Sequence, residues 1–229
     1  MNVIRRAIAL SAAAATAALV TLAASACRGA PSATGITTNG LEKKSPAKGL
    51  QEAAGALEAA KSVHIVGTSA DGHFDLRMQG SSTTGTLTRT GAQVRITIIG
   101  RDGYAKTDQA GLKVMGVPKQ VQRHDDGRWL KLPSQGFKGL TLTSFASQLT
   151  TYYGPLEPKV RQATLNGRKV VVVSWRDGGK LYIANIGPAY PLRMELKKGP
   201  GAGRIDFTEY GARFQITAPR NAINLSNAG

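Results

Sequence analysis

Apolar and polar residues alternate along several short segments of this chain. In the segment 74–79 every second residue is apolar, and the residues between are charged or carry an amide. Segments 93–99, 192–197 and 205–208 follow the same pattern. Because successive side chains of a strand point to opposite faces, the pattern predicts an antiparallel sheet with one apolar and one wet face. The apolar members are Phe74, Leu76, Met78, Val94, Ile96, Ile98, Leu192, Met194, Leu196, Ile205 and Phe207.

Pairs of Asp or Asn with Gly separate these segments. They occupy positions 71–72, 102–103, 166–167 and 177–178, and such pairs supply the positive φ angles of tight hairpin turns. The short connections predict a meander of about ten strands. The predicted strands are 62–70, 73–79, 83–90, 93–100, 103–107, 128–132, 158–165, 168–176, 179–186 and 190–198, with 203–210 and 212–217 as a last hairpin.

Three other segments have the period of a helix, namely 49–61, 109–122 and 140–153. Each carries one apolar stripe that predicts packing against the sheet. The inward residues of the second and third helices include Leu112, Met115, Phe145 and Leu149.

Two features bound these helices. Pro118 limits or kinks the second, because proline lacks the amide hydrogen of a continuous helix. Thr143 or Ser144 is a plausible N-cap of the third. The elements together predict an α+β fold that is mostly β.

The N-terminus has the form of an export signal. Arg5 and Arg6 precede an apolar stretch at 7–24, and small residues lead to Cys27, the single cysteine of the chain. This arrangement resembles the bacterial lipobox, although Ala24 stands where leucine is usual. The resemblance implies cleavage after residue 26 and a diacylglyceryl thioether on Cys27. The alternative is ordinary signal cleavage that leaves Cys27 as a free thiol.

These features divide the chain into three parts. Residues 1–26 form the predicted signal peptide, 27–48 a lipidated N-terminus with a flexible linker, and 49–229 a single domain. Beyond the signal no apolar run approaches the roughly 20 residues that span a bilayer. We therefore expect a protein on the outer face of the cytoplasmic membrane, held there by lipid.

The chain is strongly basic, with a formal net charge of +16. Strong basicity often indicates nucleic acid, but an exported protein seldom meets it, so we expect no nucleic-acid partner. Two interpretations remain open. The charge suits an anionic membrane surface, where each Lys or Arg contributes about 1 kcal/mol, or it is simply a solvated surface.

Motifs for catalysis or metal binding are missing from the sequence. His64, His73 and His124 show no ligand spacing with one another. No nucleophile elbow or Gly-Lys-Ser/Thr loop occurs, and the glycines at 199–203 join two strands. We therefore expect no enzymatic activity, no catalytic residue, no metal and no cofactor.

The order of several short motifs resembles the actinobacterial lipoproteins of the LppX/LprG type, and more distantly the LolA/LolB lipoprotein carriers. After the lipobox, polar linker and helix come SVHIVG (62–67), RDGYAKTD (101–108), GRWLKLP (127–133), LNGRKV (165–170), GGKLYIA (178–184), AYPLRME (189–195) and IDFTEYG (205–211). The resemblance implies a LolA-like fold, in which an open half-barrel of antiparallel strands wraps around a few helices. It also implies an apolar cavity between sheet and helices that takes up a lipid or an acylated molecule.

The cavity would be lined by the apolar strand and helix residues named above. Hydrocarbon suits such a lining, because dispersion contacts require volume rather than direction. However, Phe74, Phe207 and Phe214 are bulky enough to fill it. A filled core favours a first alternative, a structural or signalling lipoprotein that binds other envelope proteins. A second is an enzyme acting on cell-wall polymers, which the few, scattered acids disfavour.

Overall fold

In the computed structural model, hydrogen bonds join twelve segments of the described chain into one sheet. The structure describes residues 37–225 except 70–71, 116, 118, 123–126, 133–136, 138, 152–153 and 199–201, so the predicted signal peptide, Cys27 and His124 lie outside the described residues. The strands are β1 (Ser62–Ser69), β2 (Gly72–Gln79), β3 (Ser82–Arg89), β4 (Ala92–Ile99), β5 (Asp102–Thr107), β6 (Leu130–Leu132), β7 (Arg161–Leu165), β8 (Arg168–Ser174), β9 (Lys180–Ala184), β10 (Pro191–Leu196), β11 (Gly203–Thr208) and β12 (Ile223–Asn224).

The sheet consists of two meanders that meet at its middle. Its order is β12-β6-β5-β4-β3-β2-β1-β11-β10-β9-β8-β7, and the pairs are antiparallel except β12 with β6. Pairing of β1 with β11 joins the two halves. The end strands β12 and β7 do not pair with each other, so the curved sheet stays open. The predicted fold class, a mostly β open half-barrel, is confirmed.

The described α-helices are α1 (Pro46–Ala59), α2 (Gln109–Val114), α3 (Lys119–Gln122) and α4 (Leu142–Thr151). The predicted helix at 109–122 is thus two helices, and Pro118 falls between them in the sequence. Helix α1 packs against α4 and contacts β1, β8 and β10. None of the described helices is long and apolar enough to cross a membrane.

The main core lies between the sheet and the pair α1 and α4. Leu50, Ala53 and Leu57 of α1 and Leu142, Ala146 and Leu149 of α4 belong to one buried cluster with the inner face of the sheet. Each helix presents apolar residues three or four positions apart, which form one stripe along the helix. The stripes cover part of the inner face of the sheet.

The folded domain includes residues that precede its predicted boundary at residue 49. Leu41 is fully buried in a short 3-10 helix, Leu41–Lys43, and joins the main core. Helix α1 then begins at Pro46, because the Ser45 Oγ accepts a hydrogen bond from the Lys48 amide at 3.3 Å. Proline suits this first helical position, where no intrahelical donor is needed. Residues 41–48 of the predicted linker therefore belong to the folded domain.

The turns agree only in part with the sequence. Asn166 and Gly167 have φ angles of 49° and 77° and connect β7 to β8 as predicted. The turn predicted at 102–103 is wrong, because both residues pair within β5. Gly100, with a φ of 59°, supplies the reversal two residues earlier. The N-cap of α4 is Thr141 rather than the predicted Thr143 or Ser144, because Thr141 Oγ1 accepts a hydrogen bond from the Ser144 amide at 3.3 Å.

The strand predicted at 212–217 is absent from the described sheet. After β11, Glu209 and Gly211 adopt positive φ angles of 51° and 74°, which turn the chain away from the direction of β11. The Ser62 hydroxyl donates to the Ala212 carbonyl at 2.6 Å, and the Phe214 amide donates to Gln79 Oε1 at 2.9 Å. The segment therefore crosses the ends of β1 and β2. It reaches the far edge, where β12 pairs with β6.

Replacement of Leu57 by alanine tests the helix–sheet core. Leu57 has no exposed surface, so Leu57→Ala leaves a cavity and lowers the free energy of unfolding by about 2–5 kcal/mol. The control is Ile186→Ala. Because Ile186 is 39% exposed, this substitution should lower the free energy of unfolding by about 0.5 kcal/mol or less. Urea unfolding followed by tryptophan fluorescence measures both, and equal losses would contradict this core.

Candidate functional site

Two rows of side chains on the inner face of the sheet are completely buried. The pairing register aligns Val63 with Met78 and Ile98, and Ile65 with Leu76 and Ile96, in rows that cross the strands. Their exposed fractions are between 0% and 3%. Both rows lie in the cluster that α1 and α4 cover. This part of the inner face is therefore filled by protein.

A third row, farther from the start of β1, is only half-buried. We call it the open band: Phe74, Leu87, Val94 and Ile205, which the register places on either side of Gly67. All four are partly exposed and pack against the main core. A cavity of about 310 Å³ adjoins Phe74 and Leu87, with Arg89 on its wall. Apolar surface thus continues from the closed core to solvent at this end of the sheet.

Glycines in the sheet accommodate two aromatic rings. A Cβ atom at Gly67 would lie 2.0 Å from Cζ of Phe74, so the ring of Phe74 lies directly over this glycine. Likewise a Cβ at Gly103 would lie 2.2 Å from the ring of Phe137. On the helix side, the rings of Phe145 and Phe207 meet edge to face at 5.8 Å. The aromatic side chains therefore occupy much of the space over the sheet.

The predicted lining residues share this inner face with two exceptions. Leu76, Met78, Ile96, Ile98, Leu149, Met194 and Phe207 are buried in the main core, and Phe74, Val94, Met115, Phe145, Leu196 and Ile205 are partly buried against it. The alternation of the sequence therefore places the strand residues among them on one side of the sheet. Whether they line a cavity for a ligand stays a prediction.

The exceptions are Leu192 and Leu112. Leu192 lies in a separate cluster with Val170 and Val172 on the outer face. A register shift in β10 sets Pro191 opposite Ile183 and Arg193 opposite Tyr182, and it changes the face of the residue between them. Leu112 belongs to a small cluster with Val117 and Leu130.

A larger and more polar cavity lies at the other end of the sheet. Its volume is about 730 Å³, and its walls come from the end of α1, the β2–β3 turn, the start of α4 and residues 211–213. Lys61 and Arg213 contribute positive charge and Glu58 negative charge. None of the predicted lining residues borders this cavity. Sequence reasoning missed it, because its walls are distant in sequence.

The fold also assembles a histidine site that the sequence did not indicate. His64 Nε2 is 2.8 Å from Asp75 Oδ1, and its Nδ1 is 3.1 Å from Glu209 Oε1. These residues lie on the outer face of β1, on β2 and just after β11, so only strand pairing brings them together. Within the described residues no group of acids, histidines or cysteines is arranged to hold a metal ion.

Tyr182 and Tyr210 have raised pKa values. Burial raises the pKa of Tyr210 well above its usual value, and the neighbouring Tyr190 adds to the effect. The two rings stack at 4.1 Å, and the Tyr210 hydroxyl donates to the Pro191 carbonyl. Burial, followed by Glu195, raises the pKa of Tyr182. Both phenols are therefore neutral at physiological pH and contribute to packing.

A substitution at Gly67 tests the close approach of Phe74. Gly67→Ala forces the ring from its place and should lower the free energy of unfolding by about 1–3 kcal/mol. In the double variant Gly67→Ala/Phe74→Ala the clash is absent. Its free energy of unfolding should therefore fall by less than the sum of the decreases in the two single variants.

The matched control is Gly55→Ala in α1. Nothing lies within 4 Å of a Cβ at this position, so the substitution should raise the free energy of unfolding by about 0.5–1 kcal/mol. Strictly additive losses in the double-variant cycle, measured by urea unfolding, would show that the ring does not lie over Gly67.

Comparison with known proteins finds similarity in structure and not in sequence. No protein-family profile and no curated protein matches the chain. LprF from Mycobacterium bovis has a TM-score of 0.53 at 14% identity, over 76% of this chain and 96% of LprF. The lipoprotein LppX from Mycobacterium tuberculosis has a TM-score of 0.51 at 12% identity, over 75% of this chain and 98% of LppX. The resemblance in the order of the motifs is thus confirmed for the fold, and this chain has the fold of LprF and LppX.

Proposed function

We propose that this protein is an exported lipoprotein, anchored through Cys27, that binds or carries a lipid or an acylated molecule. The acyl chain would lie on the open band, next to the part of the sheet that the helices cover. The observation that carries the proposal is the partly exposed row of Phe74, Leu87, Val94 and Ile205, which continues the apolar core to the surface. The fold shared with the lipoprotein LppX supports it.

The chemistry of the open band suits hydrocarbon. Its side chains offer apolar surface without hydrogen-bonding groups, so they favour a chain of methylenes over a polar ligand. Each methylene moved from water into such a site contributes about 0.8 kcal/mol. Arg89, on the wall of the adjoining cavity, is exposed and would meet an acidic headgroup. A ligand that is apolar at one end and anionic at the other fits this arrangement.

The proposed anchor places the binding face near its source of ligand. A thioether on Cys27 would fix the chain to the outer face of the cytoplasmic membrane. Residues 28–38 would form the tether to Asn39, whose side-chain amide donates hydrogen bonds to the Ala184 and Gly187 carbonyls of the domain. The domain would then reach the lipids beside its own anchor. We expect the protein to act by binding rather than by catalysis.

A second candidate function is supported by the filled part of the core. The two rows are closed from water, and the rings of Phe74 and Phe137 lie close over Gly67 and Gly103, as expected of a domain without cargo. Among the described strands β7 pairs only with β8, so its other edge has no strand beside it. Residues 161–164 of β7 are exposed. An unpaired edge of this kind can add a strand from another protein. In this alternative the protein binds an envelope partner through β7.

Adjacent substitutions on opposite faces of β3 test the proposed lipid site. Leu87→Glu places a charge in the open band and should weaken binding of the fluorescent fatty acid cis-parinaric acid at least about tenfold, because a carboxylate in hydrocarbon costs several kcal/mol. Thr86→Glu adds the same charge to the outer face and should leave binding unchanged. Absence of probe binding to the unsubstituted protein, or equal loss in both variants, would refute the site.

A separate substitution tests the anchor. Cys27→Ser removes the thiol needed for the thioether, so the protein should move from the membrane fraction to the soluble fraction of the envelope. Ser25→Ala, two residues earlier, should remain with the membrane. Mass spectrometry of the membrane-bound form should find a diacylglyceryl group on Cys27, and an unmodified thiol there would contradict the proposal.

A further inference from the structure

The outer face of the C-terminal half carries a cleft lined by three arginines. A cavity of about 250 Å³ lies between the β7–β8 turn and strands β10 and β11, with Arg168, Arg193 and Arg204 on its walls. Leu165 and Leu192 form apolar parts of the lining. Asp206 is the acidic residue that lines it. The cleft therefore has more cationic groups than its own carboxylate balances.

The contacts of Asp206 leave part of each guanidinium group available. Arg193 Nε donates to Asp206 Oδ1 at 2.7 Å, and Arg204 Nε donates to Oδ2 at 2.6 Å. One carboxylate thus holds two arginines side by side through Nε and leaves their Nη groups for a second anion. Arginine is suited to this task, because its planar fork of donors matches the oxygens of a phosphate.

The third arginine approaches from the opposite wall. Arg168 follows the Asn166-Gly167 turn and lies on the same outer face as Val170. The other nearby acid, Glu195, accepts from the Tyr182 hydroxyl at 3.2 Å. Leu192 is 7% exposed and contributes apolar surface to the cleft, while Arg168 and Arg204 are exposed and accessible to an anion.

We propose that this cleft is a binding site for a phosphate group. The ligand is either the phosphate of a lipid headgroup or a free phosphate, since both present the same oxygens to the guanidinium groups. The site lies on the face of the sheet opposite the open band. It is therefore independent of the proposed acyl site.

Titration and vesicle binding distinguish the two sources. The first arm titrates inorganic phosphate into the full-length Cys27→Ser protein by calorimetry, and the second measures its flotation with phosphatidylglycerol or phosphatidylcholine vesicles at low salt. In the arm that gives binding, Arg168→Gln and Arg204→Gln should each weaken it about tenfold, as expected for a lost charge-assisted hydrogen bond. Asp206→Asn should tighten it, because a competing carboxylate becomes neutral.

The control is Arg95→Gln, an exposed arginine on the outer face of β4. It removes the same charge outside the cleft and should leave binding unchanged. Binding of inorganic phosphate identifies a free phosphate as a ligand, and binding only to phosphatidylglycerol vesicles identifies a lipid headgroup. The proposal would be overturned if neither arm gave binding, or if Arg95→Gln and Arg204→Gln lost equal affinity. Weaker binding by a folded Asp206→Asn protein would also overturn it.

Discussion

The structure depends on burial of one apolar face of a curved, open sheet. An open antiparallel sheet has a continuous inner surface, and the described helices α1 and α4 cover it only in part. Where they lie, the rows of Val63 and Ile65 are closed from water. Beyond them the open band is left half-exposed. This difference along the strands produces both the stable core and the surface on which we propose that a lipid binds.

The same constraint explains why the outer face is rich in charge. A sheet with one covered face presents polar residues on the other, and here they form cross-strand groups. His64 bridges Asp75 and Glu209, and Arg193 and Arg204 share Asp206. Exposed pairs of this kind contribute little stability, about 0–1 kcal/mol each. Their arrangement is therefore more informative about ligands than about folding.

The sequence predicts local features well and those that depend on register poorly. Alternation at 74–79 and 93–99 specifies which side chains share a face, because a period of two is a property of the strand itself. Leu192 departs from this rule, since a bulge in β10 reverses its side. The crossing of residues 211–214 over β1 and β2, and the meeting of His64 with Glu209, require the completed sheet. No local sequence pattern predicts these two arrangements.

Native mass spectrometry of the full-length protein, purified from its own host and followed by organic extraction, tests the central claim most directly. The account predicts a folded protein that carries a bound lipid or acylated molecule besides its anchor, and that loses this mass after extraction. A protein that is found without such a ligand, in every preparation, would contradict it.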